Sequence, residues 1–183
     1  PYGDLLLSGS ILYGTTKFGG SNNKGVIFKI GTDGTGFTEL HSFAGGVADG
    51  AYPAYNAKLA LSGSTLYGVC PDDGANGEGT IFSIKTDGTD YAVIHDFEGV
   101  AADGGSPNGG VVLSGMYMYG TTTWGGANDK GAIFESHLAP IWVGGHLIFL
   151  RVVNLLHSFA GLSDGSYPYG MLTLSGTTLY GTA

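Results

Sequence analysis

Three histidines, His41, His95 and His157, and three aspartates, Asp49, Asp103 and Asp164, are the residues of this sequence whose types most suggest chemistry. Histidine transfers protons near neutral pH and ligates metals. These three recur once per repeating unit, so they lie far apart, whereas metal ligands must converge. They read as strand histidines that bond a neighbouring loop. Each of the three aspartates precedes a glycine, a pair that turns the chain while the carboxylate bonds its own backbone. A ring of calcium sites at these loops is the lesser alternative, and no cofactor is otherwise implied. The stretch DDGANGE at 72–78 imitates a calcium loop, but it lacks the oxygen ligand at the third position, and Ser83 stands where the closing glutamate belongs. It reads as an exposed acidic loop. Cys70 stands where Thr16 and Thr122 stand in the other copies, so it reads as a packed small side chain, and a nucleophile would need a partner base. Gly19-Gly20 and Gly125-Gly126 precede strands, not a helix N-terminus, so neither is a phosphate loop.

A binding site is normally built once, so it belongs where the copies differ. They differ most at one loop tip: Lys17 and Phe18, then Pro71, Asp72 and Asp73, then Thr123 and Trp124. Exposed aromatics in a polar loop suit contact with sugar or protein; covering a blade edge is the plainer alternative. The candidate binding residues are therefore Lys17, Phe18, Asp72, Asp73 and Trp124. No catalytic or metal-ligating residue is assigned.

The elements that must hold these residues follow from an internal repeat. Leu-Ser-Gly occurs at 7–9, 61–63, 113–115 and 174–176. Tyr-Gly follows at Tyr13, Tyr67, Tyr119 and Tyr180, and 15 residues later comes Phe28, Phe82 or Phe134. Then come the histidine, a phenylalanine (Phe43, Phe97, Phe159), Asp-Gly, and a closing proline at Pro53, Pro107 and Pro168; Pro1 takes that place for an earlier unit. Within a unit, AKLAL or GGVVL reads as strand A, STLYGVC as B, GTIFSIK as C and YAVIHDF as D. SGS makes the A–B turn, and Asp-Gly in TDGT makes a two-residue C–D turn. The tyrosines, Phe28, Ile30, Phe82 and Ile84 are the expected core.

Repeated four-stranded antiparallel units of about fifty residues read as β-propeller blades, which cover each other's faces by stacking. The expected fold is all-β: one propeller-like domain over 1–183, with blade 1 at about 1–53, blade 2 at about 54–107, blade 3 at about 108–168 and a partial fourth blade at 169–183. Two strands over three blades point to a fragment or open arc of a larger propeller, with apolar end faces that invite self-association. The short A–B and C–D turns share one rim, and the long B–C and D–A loops share the other. Binding sits on long loops held by a rigid scaffold, so the long-loop rim is the expected site face.

The composite LSGSTLYG…GTIFSIKTDGT…LHSF…DG…P resembles the Gloeo-Verruco tandem repeat of bacterial surface proteins, and is distantly similar to YWTD-type propeller blades. The resemblance covers the chain except 135–152. It implies an extracellular or cell-surface setting of bacterial type, and no activity.

Composition narrows the partners. Seven basic residues against fifteen acidic ones give a net charge of −8, which excludes the basic footprint of a nucleic-acid binder and disfavours an anionic membrane surface. One cysteine permits no internal disulfide. The expected function is a non-enzymatic surface module presenting loops to protein or glycan. The rivals are a carbohydrate-active enzyme using loop carboxylates such as Asp72, Asp73, Glu98 and Asp103, and a purely structural stalk repeat.

One segment breaks the pattern. After Phe134, eight residues equivalent to KIGTDGTG are replaced by eighteen, 135–152. The apolar run APIWVGGHLIFL is too short for a membrane helix, which needs about twenty residues. It reads as an elongated C–D hairpin around Gly144-Gly145, on the rim away from the site, with Trp142, Ile148 and Phe149 partly exposed. No membrane insertion is expected of it.

Overall fold

The computed structural model describes residues 3–53, 57–99 and 101–183; Pro1 and the first residues assigned to blade 2, 54–56, lie outside these. In chain order the strands are β1 (Leu6–Ser8), β2 (Ile11–Thr16), β3 (Val26–Gly31), β4 (Thr38–Ser42), β5 (Gly50–Ala51), β6 (Ala60–Ser62), β7 (Thr65–Cys70), β8 (Asp72–Asp73), β9 (Thr80–Lys85), β10 (Ala92–Asp96), β11 (Gly105–Ser114), β12 (Tyr117–Trp124), β13 (Ala132–Val143), β14 (His146–Ser158), β15 (Thr173–Ser175) and β16 (Thr178–Tyr180). They form three four-stranded antiparallel sheets, β1-β2-β3-β4, β6-β7-β9-β10 and β11-β12-β13-β14, followed by the hairpin β15-β16. Each sheet runs A, B, C, D in sequence order, as the repeat requires. No helix long and apolar enough to cross a membrane occurs among the described residues.

The sheets are apolar on both faces and bury them against each other. Tyr13, Ile27 and Phe43 of the first unit meet Leu66, Phe82 and Ile84 of the second. Val69, Ile81 and Phe97 of the second meet Val111, Met118 and Phe134 of the third. The joint repeats in detail: Phe43 meets Phe82, and Phe97 meets Phe134, each edge-on with ring centroids 5.4 Å apart. Strand alternation explains this use of two faces, since successive side chains point to opposite neighbours.

The expected core departs from this at the ends. Phe82 and Ile84 are fully buried and Tyr13 and Phe28 nearly so. Ile30 is half-buried, because it lies with Phe28 on the face of the first sheet turned away from the second. That face also presents Leu5, Leu7 and Phe37, all exposed. Tyr180 is exposed on β16, and Tyr67 is half-buried beside a cavity at the foot of the β13–β14 hairpin.

The C–D turns differ from expectation in length. Gly31 N–H donates to Thr35 O at 2.8 Å and Gly34 N–H to Gly31 O at 2.9 Å, so the loop has three residues and only its glycine takes positive φ, +82°. Lys85–Thr89 repeats the arrangement, with Gly88 at +93°. Asp33 accepts the Thr35 N–H at 2.9 Å, and Asp87 the Thr89 N–H at 2.9 Å, so the aspartates fasten the turn rather than supply its left-handed residue. Gly34→Val and Gly88→Val should each cost about 1–2 kcal/mol of backbone strain. Gly34 has open space around it, so its cost is backbone alone; a Cβ on Gly88 would meet Leu40 O at 3.3 Å and add a steric share. Thermal melts of the two variants check this; no loss at either site would remove the argument.

Segment 135–152 is the elongated hairpin expected. β13 and β14 pair from Ala132↔Ser158 to Val143↔His146, turning on Gly144-Gly145. β12 accompanies β13 only as far as Met118↔Ser136, so beyond Ser136 two strands stand alone. Trp142 is 73% exposed, and Ile148 and Phe149 are exposed too. Its foot touches the A–B turn, where Gly115 and Met116 line the same cavity as Leu138 and Arg151, placing it on the short-turn rim. Replacing 135–152 by KIGTDGTG should keep a cooperative melt and raise the soluble, monodisperse fraction, because it removes an exposed apolar ribbon. Loss of cooperative melting would show that the ribbon stabilises the fold.

Candidate functional site

The long loops meet on one rim and interlock between blades. β5, in the D–A loop of the first unit, pairs with β8, in the B–C loop of the second, through Gly50↔Asp73 and Ala51↔Asp72. Asp73, expected as a free acidic tip, is consumed there. Its Oδ2 lies 3.2 Å from Lys24 Nζ and accepts the Gly46 N–H at 3.2 Å. Asp72 remains on the surface. Partial desolvation at the β5–β8 pairing raises its carboxyl from the ordinary value against the opposing pull of Lys17, and neighbouring Asp73 adds to the rise.

Phe18 and Trp124 are 51% and 45% exposed, as the loop reading requires. Each rests edge-on against a tyrosine of the D–A loop: Phe18 on Tyr52 at 5.7 Å and Trp124 on Tyr167 at 4.9 Å. Each tyrosine also carries a cation. Lys24 Nζ lies 4.6 Å from the Tyr52 ring centroid, while Lys130 Nζ sits at the hydroxyl end of Tyr167, donating to its oxygen at 2.5 Å. Lys17 joins the first cluster, 5.3 Å from the Phe18 ring and 5.9 Å from Tyr52. Such contacts stabilise by about 0.5–1 kcal/mol at exposed sites and fix ring orientation. The second unit departs from both neighbours: Glu78 replaces the lysine, Ser106 the tyrosine and Asp72 the aromatic tip.

Tyr52, Tyr167, Lys24 and Lys130 were not singled out from the sequence. A positional signal exists: each tyrosine precedes the closing proline and each lysine precedes the glycine that opens strand C. Tyr52, Ser106 and Tyr167 hold φ of +54°, +50° and +55°. Their N–H groups donate to the carbonyls of Lys24, Glu78 and Lys130 at 2.8, 2.7 and 2.8 Å. Between the second and third blades the rim opens into a shallow cleft of about 450 Å³, lined by Gly77, Glu78, Gly99, Ser106, Trp124 and Asp129.

The histidines and aspartates form latches inside single units. His41 Nε2 lies 3.1 Å from Asp49 Oδ2, His95 Nε2 3.2 Å from Asp103 Oδ2, and His157 Nε2 3.0 Å from Asp164 Oδ2. Each imidazole stands edge-on to the phenylalanine two residues on, with centroids 4.7–5.0 Å apart. Each aspartate also accepts the N–H of Ala44, Glu98 or Ala160, at 2.8, 3.1 and 3.0 Å. The latch closes the D–A loop back onto strand D, which is loop construction and not a converging ligand set. Cys70 is fully buried against Gly50, and burial pushes its thiol well up.

Blades of this order, stacked through a repeating aromatic joint and bearing their long loops on one rim, define a propeller-type repeat protein. The sequence matches the Gloeobacter/Verrucomicrobia repeat over residues 1–183, and the chain belongs to that family. The match includes 135–152, which the repeat pattern skips. A chain in the crystal structure of a nidogen/laminin complex is similar in fold, with a TM-score of 0.52 and 20% identity over 91% of this chain and 49% of that one. This chain thus spans about half the length of that neighbour. No curated protein matches the sequence.

Proposed function

We propose that the chain is a non-enzymatic, surface-exposed module that binds a protein or glycan through its long-loop rim. The observation that carries this is the pair of half-exposed aromatic tips, Phe18 and Trp124, each held at its edge by a tyrosine that a lysine contacts. Aromatics fixed in this way offer contact area without the entropy cost of ordering them on binding. The non-enzymatic reading is supported by the fate of the loop carboxylates. Asp103 bonds His95 and the Glu98 N–H, and Asp73 bonds Lys24, which gives these two of the four named carboxylates a place in loop construction; Asp72 and Glu98 stay exposed. A bacterial surface setting rests on the resemblance of the repeat. The uncovered outer face of the first sheet supports an open arc, completed by further blades or by self-association.

The test is a glycan array and a panel of purified secreted proteins, probed with the chain and with Phe18→Ala/Trp124→Ala. The double variant should melt as the parent does and lose about tenfold or more in affinity. The variant with 135–152 replaced, altered on the opposite rim, should bind as the parent. Binding lost only by the opposite-rim variant, or no ligand at all, refutes the reading; the second result supports a structural stalk.

A further inference from the structure

The two interblade clefts of the long-loop rim are built from equivalent positions and filled differently. In the first, the chain supplies its own cation. Lys24 Nζ sits between the Tyr52 ring, 4.6 Å away, and the next blade's Asp73 carboxylate, 3.2 Å away. In the second, the residue equivalent to Lys24 is Glu78, the residue equivalent to Tyr52 is Ser106, and the next blade supplies Trp124. An aromatic and a carboxylate are again present, on exchanged blades, and Asp129, whose Oδ1 accepts the Gly125 N–H at 2.9 Å, adds a second carboxylate. The cation is missing, and the cleft of about 450 Å³ lies open. The Glu78 side chain lies flat on Gly99 and Gly105, where an added Cβ would come within 2.5 Å of its carboxyl group. Its carboxylate has no hydrogen-bond or ion-pair partner among the described residues, unlike Asp73 in the first cleft.

We propose that this second cleft receives an arginine or lysine side chain of a protein partner, with its charge against Glu78 and Asp129 and its face or ammonium on Trp124. The position that holds an intramolecular ammonium in one cleft would hold an intermolecular one in the next. The net charge of −8 favours approach of such a partner. The inference rests on the long-loop rim being a binding face, and it selects protein over glycan there.

The test uses the chain with Trp142→Phe, which leaves Trp124 as its single tryptophan. The probes are acetyl-Gly-Ser-Arg-Ser-Gly-amide, its lysine, citrulline and norleucine counterparts, and diacetylchitobiose, each at about millimolar concentration, where one side chain's contacts are measurable. The readouts are tryptophan emission and amide shifts at Glu78 and Ser106. The arginine and lysine peptides should shift both, and the neutral peptides should bind about fivefold or more weakly. Glu78→Gln should weaken the cationic peptides about three- to tenfold. Glu78→Lys should abolish their binding, because its own ammonium then occupies the cleft as Lys24 does. Melting temperatures confirm folding, and Trp124→Phe retains an aromatic face if Trp124→Ala proves unstable. Equal binding of arginine and citrulline peptides, shifts by the saccharide alone, or indifference to both Glu78 variants would overturn the proposal. Cationic peptides that bind the cleft while no macromolecule uses the rim would uphold the cleft and sink the wider module reading; the converse outcome would do the reverse.

Discussion

Phe82→Ala should lower the free energy of unfolding by about 3–5 kcal/mol, a large share of what a domain of this size possesses. Phe82 is fully buried at the centre of strand β9. Its ring meets Phe43 of the preceding blade at 5.4 Å and Tyr91 at 6.0 Å. It also lies over Gly68 so closely that a Cβ there would stand 2.4 Å from the ring. Truncation therefore opens a cavity that three rigid strands bound, and it removes half of an interblade joint. Collapse is the only relief, and hydrogen-bonded sheets give little. The equivalent ring of the first blade provides an internal control. Phe28 covers Gly14 in the same way, but on the face that no other blade of the described residues covers, stacked on the exposed Phe37. Phe28→Ala should cost clearly less, since water reaches the space it leaves. Urea titrations of both variants decide the matter: equal losses would mean that the joint between blades is not where the stability lies.

The same comparison shows what the sequence could convey. The spacing of Leu-Ser-Gly, Tyr-Gly and phenylalanine located strands B and C within a residue or two, because alternation and tight turns are local properties, while strand A begins three residues later than expected in the second unit and four earlier in the third. It could not show that Ile30 is only half-buried while the equivalent Ile84 is fully buried; that depends on whether another blade stands alongside. Phe18 and Trp124 were legible as apolar residues in polar loops. The tyrosines beneath them were not, because Tyr52 and Tyr167 meet their partners through a D–A loop whose path no periodicity encodes. The two-residue pairing of β5 with β8, which removes Asp73 from the exposed tip, is likewise a contact between blades with no local signature. His41 and Asp49 were both conspicuous, but their bond became visible only when the loop was seen to fold back on strand D.

That bond carries the second large effect. Asp49→Ala should destabilise the fold by about 3–5 kcal/mol, the range found when one member of a buried, hydrogen-bonded ionic group is removed. Asp49 is only 7% exposed. Its carboxylate accepts the Ala44 and Gly50 N–H groups, each at 2.8 Å, bonds His41 at 3.1 Å, and accepts the hydroxyl of Tyr91 from the next blade. Tyr91 in turn stacks on His41 with centroids 3.6 Å apart. Removing the carboxylate strands all these donors and loosens both a loop and an interblade contact. Asp164 makes the same latch with His157 and Ala160, but no tyrosine hydroxyl among the described residues reaches it and both side chains are substantially exposed. Asp164→Ala should therefore shift the melting temperature far less. Acidity separates the electrostatic share from packing. Burial raises the Asp49 pKa, but bonds from His41, Ala44 and Tyr91 outweigh it and hold the carboxyl below its ordinary value of 3.8. A depressed pKa in the folded state stabilises above the unfolded pKa, and that stabilisation is lost as pH falls through the folded value. The gap in melting temperature between wild type and Asp49→Ala should thus be widest above about pH 5 and narrow steadily below the usual carboxylate range. A gap unchanged down to the acid limit of folding, or equal losses from Asp49→Ala and Asp164→Ala, would show that the latch contributes through loop shape alone.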